Sequence, residues 1–273
     1  KIILLKRNTN LYFCYFCTYF KILNIIEKMG KENNIYEQEF KIYTYLIDDN
    51  CKLTLPNLMY LLQEVAWAHT NKNQTGWRFL QIKNMFWVIV KLYIQIDRMP
   101  EWNETIRIRT WGRPSELIIY PREFEVYDSE NNRIIAATSA WVILDKEEFK
   151  IQQVNLQKDR NVMYDHHVLS KKIPKIPAVE YPIAPSFFSV AYSDMDLNKH
   201  VNNTRYVLWA IDEYPYEFHK NHRLKTCNIQ FISQAKHLDR ITIQKKEISK
   251  NIFVSSVFTE DNQNEACRLM LEW

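Results

Sequence analysis

The chain has 273 residues, of which 47% are hydrophobic and 14% aromatic, so it holds enough apolar side chains for one large core or two fused cores. Its formal charge of +4 comes from residues 1–28, which hold five of the 36 basic residues but one of the 32 acidic residues. The remaining 31 basic and 31 acidic residues balance, which argues against a nucleic acid as the partner.

The first residues have a composition of their own. An apolar, aromatic stretch at positions 11–20 is too short to span a bilayer, so no membrane span is expected. A signal peptide needs a longer apolar region and a small-residue cleavage site, and a plastid transit peptide is richer in serine. We interpret Met29 as the natural start and residues 1–34 as a leader, with a genuine N-terminal extension as the alternative.

The five cysteines show neither a disulfide framework nor a zinc-binding pattern. Cys14 and Cys17 form a lone C-x-x-C pair, and Cys51, Cys227 and Cys267 are isolated in sequence. We therefore expect no metal and no cofactor, and a reducing cytoplasm as the location.

Residues 35–149 are predicted to form a first module of one long helix and an antiparallel sheet. A strand at 36–47 leads into a helix at 55–68, with Pro56 near its first turn. Alternating apolar residues and a polar turn at 128–132 then predict four strands, at 86–96, 105–111, 117–127 and 134–144.

A linker and a second module follow. Residues 150–180 are polar, contain Pro174 and Pro177 and lack apolar periodicity, which is typical of a linker. Residues 181–273 are predicted to form the second module, with a strand at 187–192 and an apolar helix at 206–211. Its other strands are predicted near 224–233, 239–248, 251–260 and 265–273.

Polar side chains of three chemical types alternate just before the second helix. If the backbone there is extended, Asp196, Asn198 and His200 project to one side and share a pocket. Asn202 or Asn203 is the predicted N-cap, and a helix start supplies free N–H donors that suit an oxyanion. Singly, each residue could be an ordinary turn or loop residue. Together they predict a catalytic site.

The two modules show a weak internal repeat. A shift of 146 positions places Tyr60 on Tyr206 and Asp48 on Asp194. In that register the acid, amide and imidazole of the second copy fall on Asn50, Lys52 and Thr54. This register predicts that the first copy lacks all three groups and that only the second copy is catalytic.

The motif D-x-N-x-H-V-N-N, followed by a helix with Tyr206 and Trp209, resembles the acyl-acyl-carrier-protein thioesterases of plant plastids and bacteria. Segments 86–88, 96–98 and 137–141 also resemble the bacterial members, so the resemblance covers residues 35–273. It implies an α+β double hotdog fold, in which an antiparallel sheet wraps each long helix. It also implies hydrolysis of a fatty acyl thioester.

The resemblance also implies roles for the two modules. The second module is expected to be catalytic, with Asn202, Asn203 and Arg205 near the substrate. The first is expected to select the acyl chain, and Leu62 and Trp87 are candidates for its pocket, with a plain core role as the alternative.

One position departs from the family pattern. The family places a glutamate about 34 residues after the histidine, where this chain has Gln234. Glutamine forms hydrogen bonds but cannot act as a base. Gln234 is therefore only a positioning residue, or the alignment slips, or this chain is a slower enzyme than other members. Asp239 lies nearby and could supply a substitute carboxylate, although a turn is its expected role.

The implied partner is acyl carrier protein, which is acidic. Exposed bases near the pocket mouth could steer it, or could be ordinary surface charges, and the candidates are Lys199, Arg205, Lys220 and Arg223. Two other functions stay open: hydrolysis of acyl-CoA, and acyl binding without catalysis. A double module is compatible with a monomer or a homodimer.

Overall fold

The computed structural model describes residues 34–154, 156, 164–169, 173–183 and 186–273. Residues 1–33 lie outside the described part, and with them the predicted leader and the pair Cys14 and Cys17.

The first half contains two helices and six strands. In chain order they are β1 (Tyr36–Lys41), α1 (Leu55–Lys72), α2 (Trp77–Ile82), β2 (Met85–Ile96), β3 (Thr105–Gly112), β4 (Tyr120–Tyr127), β5 (Arg133–Asp145) and β6 (Ile151–Gln152). The prediction of a strand to residue 47 is wrong beyond Lys41, because the chain turns there from the sheet toward α1 through a 3-10 helix at Thr44–Leu46.

The second half contains two helices and five strands. They are β7 (Phe188–Ser189), α3 (Asn203–Asp212), α4 (Tyr216–Asn221), β8 (Thr226–Phe231), β9 (Arg240–Ser249), β10 (Ile252–Thr259) and β11 (Glu265–Glu272). The predicted strand at 187–192 shortens to β7 because a 3-10 helix at Tyr192–Asp194 follows it. The helix α3 begins at Asn203, directly after Asn202, which is one of the two predicted N-caps.

All described strands belong to one antiparallel sheet. Their order is β1-β3-β4-β5-β2-β8-β11-β10-β9-β7. The short strand β6 is not in this series and pairs with β5. The halves join where β2 pairs with β8, with Tyr93 opposite Asn228. The helices α1 and α3 pack on this sheet and share one hydrophobic core with it. Leu58, Ile94 and Ile229 belong to that core and have no exposed surface.

Burial of the α1 face predicts a large effect of truncation. We expect Leu58→Ala to lower the free energy of unfolding by about 2–5 kcal/mol, because it deletes buried methyl groups and leaves a cavity. Glu64→Ala, at an exposed position of the same helix, should change it by less than about 0.5 kcal/mol. Denaturant unfolding of both variants measures this, and equal stabilities would show that Leu58 contributes no core packing.

The two halves repeat with an offset of 148 residues, so the predicted offset of 146 is wrong. Asp48 Oδ1 accepts hydrogen bonds from the N–H groups of residues 50 and 52, both at 2.9 Å. Asp196 Oδ1 accepts from residues 198 and 200, at 2.8 and 3.2 Å. The N-caps Thr54 and Asn202 keep the same offset. The first copy therefore has the acid and the amide and lacks the imidazole, where Lys52 stands.

The physical reason for this register is the shared geometry of the two turns. Each turn is closed by an isolated antiparallel bridge, Ile47 to Leu53 in the first half and Met195 to Val201 in the second. Each also has a residue with positive φ at its fourth position, Cys51 at 58° and Lys199 at 64°. The equivalent hydrogen bonds of Asp48 and Asp196, and not a match of residue types, therefore define the offset of 148 residues.

Candidate active site

The segment from Asp196 to His200 forms a tight turn and is not extended, so the predicted extended backbone is wrong. Asp196 bonds the N–H groups of Asn198 and His200, and these local bonds compete with strand pairing. The backbone N–H of Asp196 also donates to the carbonyl of His200 at 2.7 Å. One oxygen of Asp196 therefore holds the turn that presents Asn198 and His200.

His200 is half-buried against aromatic rings. Its imidazole stacks on Phe86, with ring centroids 6.0 Å apart and planes 19° from parallel, and meets Phe149 edge-on at 6.2 Å. Burial lowers the pKa of His200, and the charge of Lys236 adds to this while Asp196 opposes it. The imidazole is therefore mainly neutral at pH 7 and is able to accept a proton.

The start of α3 supplies one unused backbone donor. Asn202 Oδ1 accepts from the N–H of Thr204 at 3.0 Å, and the Asn202 carbonyl accepts from the N–H of Arg205 at 2.9 Å. The first N–H of the helix, that of Asn203, has no partner available within the helix. It lies at the positive end of the helix dipole, which suits an oxygen that gains negative charge.

A cavity of about 160 Å³ joins this turn to the first half. From the second half, the polar residues Asp196, Asn198, Asn202 and Asn203 line it. Its other walls come from α1, α2 and the sheet of the first half, and include Trp67, Trp77, Phe86, Trp87, Tyr120 and Trp141. Polar groups from one half thus meet an aromatic chamber from the other.

Two aromatic side chains of this chamber are held firmly in place. Trp87 donates from Nε1 to the carbonyl of Thr75 at 3.2 Å and meets Tyr120 edge-on at 5.0 Å. Tyr120 in turn donates from its hydroxyl to the carbonyl of Val154 at 2.6 Å. These contacts fix the walls before any ligand enters. His200 is not itself among the residues that line the cavity, but its ring stacks on Phe86, which is.

Besides His200, three other predicted site residues do not line this cavity. Leu62 is 3% exposed and packs in the core, on the same helical face as Leu58 and Val65. Arg205 is ion-paired with Asp194 at 2.6 Å and faces a different cleft. The structure therefore places neither Leu62 nor Arg205 at this cavity.

Gln234 is the third of these residues. Its side chain is exposed and does not line the cavity. The carbonyl of the next residue, Ala235, accepts from the N–H of Val201 at 3.4 Å, so the two backbones run side by side. The carboxylate of Asp239 accepts from the N–H of Lys236 at 2.7 Å, which is the turn role expected for it.

Sequence reasoning missed the polar face of α1. Gln63 and Thr70 lie two turns apart on α1 and both line the cavity. The available signal was the seven-residue spacing of these two polar residues, which places them on one face of the helix. Arg113 and Arg122 on the sheet also line the cavity and had no signal in the sequence.

Within the described residues, the cysteines and the other potential metal ligands do not form a metal site. Cys227 and Cys267 are buried free thiols, and burial raises the pKa of both, while Cys51 is exposed. The described part of the chain holds no group of three side chains suited to bind a metal ion. It also holds no helix that is both long and apolar enough to cross a membrane.

Comparison with known proteins places these features in a family. The model of the acyl-ACP thioesterase N-terminal domain matches residues 33–158, and that of the acyl-ACP thioesterase C-terminal domain matches residues 183–273.

Named relatives agree with this match. The chloroplastic oleoyl-acyl carrier protein thioesterase 2 of Arabidopsis thaliana is 25% identical over 84% of this chain. The chloroplastic palmitoyl-acyl carrier protein thioesterase of Gossypium hirsutum is 26% identical over 76% of it. The chain spans 64% of the length of the first relative and 53% of the second.

Solved structures confirm the predicted double hotdog fold. An acyl-ACP thioesterase from Bacteroides thetaiotaomicron superposes with a TM-score of 0.81 at 24% identity, covering 89% of this chain and 98% of that one. The 12:0-ACP thioesterase from Umbellularia californica superposes with a TM-score of 0.78 at 18% identity, covering 88% and 96%. Since the two family models together match most of its length, this chain belongs to the acyl-ACP thioesterase family.

Proposed function

We propose that the protein hydrolyses fatty acyl thioesters of acyl carrier protein and releases free fatty acid. The observation that carries the proposal is an aromatic cavity that Asn198 and Asn203 also line, with a mainly neutral histidine, His200, stacked on its wall residue Phe86. The relatives named as acyl carrier protein thioesterases support the choice of substrate.

The chemistry follows from what a thioester requires. The N–H of Asn203 and the dipole of α3 hold the carbonyl oxygen as it gains negative charge. His200 takes a proton from the attacking water and then gives it to the departing thiolate as the carbon–sulfur bond breaks. Asn198, at the edge of the cavity, orients the water or the substrate amide. Asp196 acts through the turn that it holds.

Direct attack by Asp196, with an acyl anhydride as intermediate, is the second mechanism. Two backbone N–H groups already stabilise the charge on one of its oxygens, which makes that oxygen a weaker nucleophile. Single-turnover hydrolysis in ¹⁸O water tests for an anhydride that water opens at the aspartyl carbonyl, because that attack leaves ¹⁸O on Asp196 and sends the unlabelled oxygen out with the acid. Activation of water by His200 places ¹⁸O only on the released acid.

The two halves take different parts in this proposal. Residues 35–149 form the hotdog that selects the acyl chain, because Trp67, Trp87 and Trp141 supply the apolar walls. Residues 181–273 form the catalytic hotdog, and residues 150–180 connect them. Neither a metal nor a redox cofactor has a step in this chemistry.

Release of thiol from a panel of acyl carrier protein thioesters, C8 to C18, tests the function. We expect hydrolysis with a clear optimum of chain length. The same acyl group on coenzyme A should be a poorer substrate, and a preference for coenzyme A would instead favour an acyl-CoA thioesterase. Tight acyl binding with no turnover of any thioester would favour the non-catalytic alternative.

The bases that steer the carrier protein are proposed to be Lys199 and Lys236. Both are exposed. Lys199 lies in the same turn as His200, and the charge of Lys236 acts on the pKa of His200. Lys220 is ion-paired with Glu217 on α4, and Arg223 lies by the separate cleft that Arg205 faces. These last three are therefore not placed to guide a carrier to the cavity.

Lys236 should also control the pH dependence of the reaction. Its charge lowers the pKa of His200, so Lys236→Gln should raise that pKa. The base is active when neutral, and the acidic limb of kcat against pH should therefore move to higher pH, with the plateau unchanged. Lys246→Gln, at an exposed position on β9, is the control. An identical limb in both variants would contradict the assignment of His200 as the base.

A further inference from the structure

Two aromatic rings of the first half contact the imidazole of His200. Phe86, near the start of β2, stacks on it, and Phe149 meets it edge-on, with ring centroids 6.2 Å apart and planes at 79°. The two phenylalanines also meet each other edge-on, at 6.1 Å. Each of the three rings therefore contacts both of the others. A face contact and an edge contact together restrict the rotation of the imidazole.

The two phenylalanines differ in burial and in backbone conformation. Phe86 is 5% exposed, so core packing alone explains it. Phe149 is 51% exposed, and its φ of 55° favours glycine or asparagine over a bulky residue. Among the described residues with positive φ it is the only aromatic one. Neither core packing nor the backbone therefore accounts for a phenylalanine at this position, whereas the ring contact with His200 does.

The turn that carries Phe149 has a fixed shape. It connects β5 to β6, and Asp145 Oδ1 accepts hydrogen bonds from two backbone N–H groups of the turn, both at 2.9 Å. The N–H of Phe149 donates to the carbonyl of Asp145 at 3.1 Å. The turn is also tied to the loop before β2, because the N–H of Lys146 donates to the carbonyl of Asn84 at 3.0 Å. A rigid turn of the first half thus delivers Phe149 to the second half.

We propose that Phe149 is a positioning residue that fixes the orientation of the His200 imidazole from across the boundary between the two halves. The inference rests on the proposed function, in which His200 is the base. Phe149 does not line the cavity, so it acts on the reaction through His200 and not through the substrate. The first half thus contributes to the chemistry as well as to the walls of the acyl site.

Burial against the rings also governs the charge of His200, because it lowers the pKa of the imidazole. Two charges act on that pKa: Asp196 raises it and Lys236 lowers it, while the neighbouring Lys199 is exposed to solvent. The charged side chains of the turn that carries Phe149 are bonded elsewhere, Lys146 to Gln81, Glu147 to Asn84 and Glu148 to Lys150. A change of pKa in a Phe149 variant therefore reports the loss of the ring and not the loss of a charge.

Phe149→Gly tests the proposal, because glycine suits the positive φ and keeps the turn while it removes the ring. We expect kcat for the best acyl thioester to fall about tenfold with KM nearly unchanged, since a misplaced base costs rate and not binding. The acidic limb of kcat against pH should move to higher pH, because water that replaces the ring raises the pKa of His200, which acts when neutral. Phe149→Tyr keeps a ring and should retain most of the kcat that the glycine variant loses.

The matched control is Leu117→Gly, which removes an exposed apolar side chain at another position of the first half with positive φ, 58°. It should keep the wild-type kcat and pH profile. Titration of the imidazoles by NMR, with His200→Ala used to assign the signal, measures the pKa of His200 without any turnover. Thermal unfolding of each variant checks that it is folded.

A folded Phe149→Gly protein with wild-type kcat and an unchanged pKa of His200 would overturn the inference. An equal loss of kcat in Leu117→Gly would assign the effect to lost apolar surface in general and would overturn it as well. If the wild type hydrolyses no thioester, the proposed function fails. The NMR titration of Phe149→Gly then still decides whether Phe149 holds the imidazole.

Discussion

Replacing His200 with alanine should lower kcat for the best acyl thioester by about 10²–10⁴-fold, the usual contribution of a positioned base. Burial against Phe86 keeps the imidazole mainly neutral at pH 7, so the loss removes the group that takes the proton from water. KM should change little, because the ring lies beside the cavity and not in its lining. Steady-state thiol release measures both constants.

The control for this variant is His167→Ala, an exposed histidine of the connecting segment that does not line the cavity. It should keep wild-type activity. The melting temperature of both variants should be recorded, since His200 also contributes ring contacts to Phe86 and Phe149. A folded His200→Ala protein with full activity would remove the histidine from the mechanism.

Replacing Asn203 with proline should lower kcat by about 10²–10³-fold, because it deletes the single helix-start N–H assigned to the oxyanion. Proline is well tolerated at the first position of a helix, where the N–H has no partner within the helix. The preceding residue, Asn202, already has φ −61° and ψ 135°, which are the extended angles that proline requires before it. The fold should therefore be preserved.

The matched control is Asn203→Ala, which removes the side chain and keeps the backbone N–H. If the N–H is the oxyanion donor, the alanine variant should retain most of the kcat that the proline variant loses. Thermal unfolding of both proteins checks that the cap of α3 is intact. Equal losses in the two variants would assign the effect to the amide side chain and not to the backbone.

Comparison of the predictions with the structure shows which predicted features depend only on neighbouring residues in the sequence. The motif around Asp196 and the helix after Asn202 were predictable, because caps, turns and apolar runs depend on neighbours in sequence. The extended backbone predicted for the motif was wrong, since an aspartate that bonds its own turn carries no signal that separates it from one in a strand. The repeat register failed for a related reason, since Tyr60 and Tyr206 match in type but not in position.

By itself, the sequence determined the fold class, the order of the main helices and strands, and the half that carries the acid, amide and imidazole. These features depend on residue type and spacing along the chain. Only the tertiary structure decided that Leu62 lies in the core while Gln63 and Trp67 line the cavity. Successive residues of a helix point in different directions, so Leu62 faces the core whereas Gln63 faces the cavity. The other wall of that cavity belongs to the second half. The pairing of β2 with β8 brings the halves together and so forms the cavity that residues of both halves line.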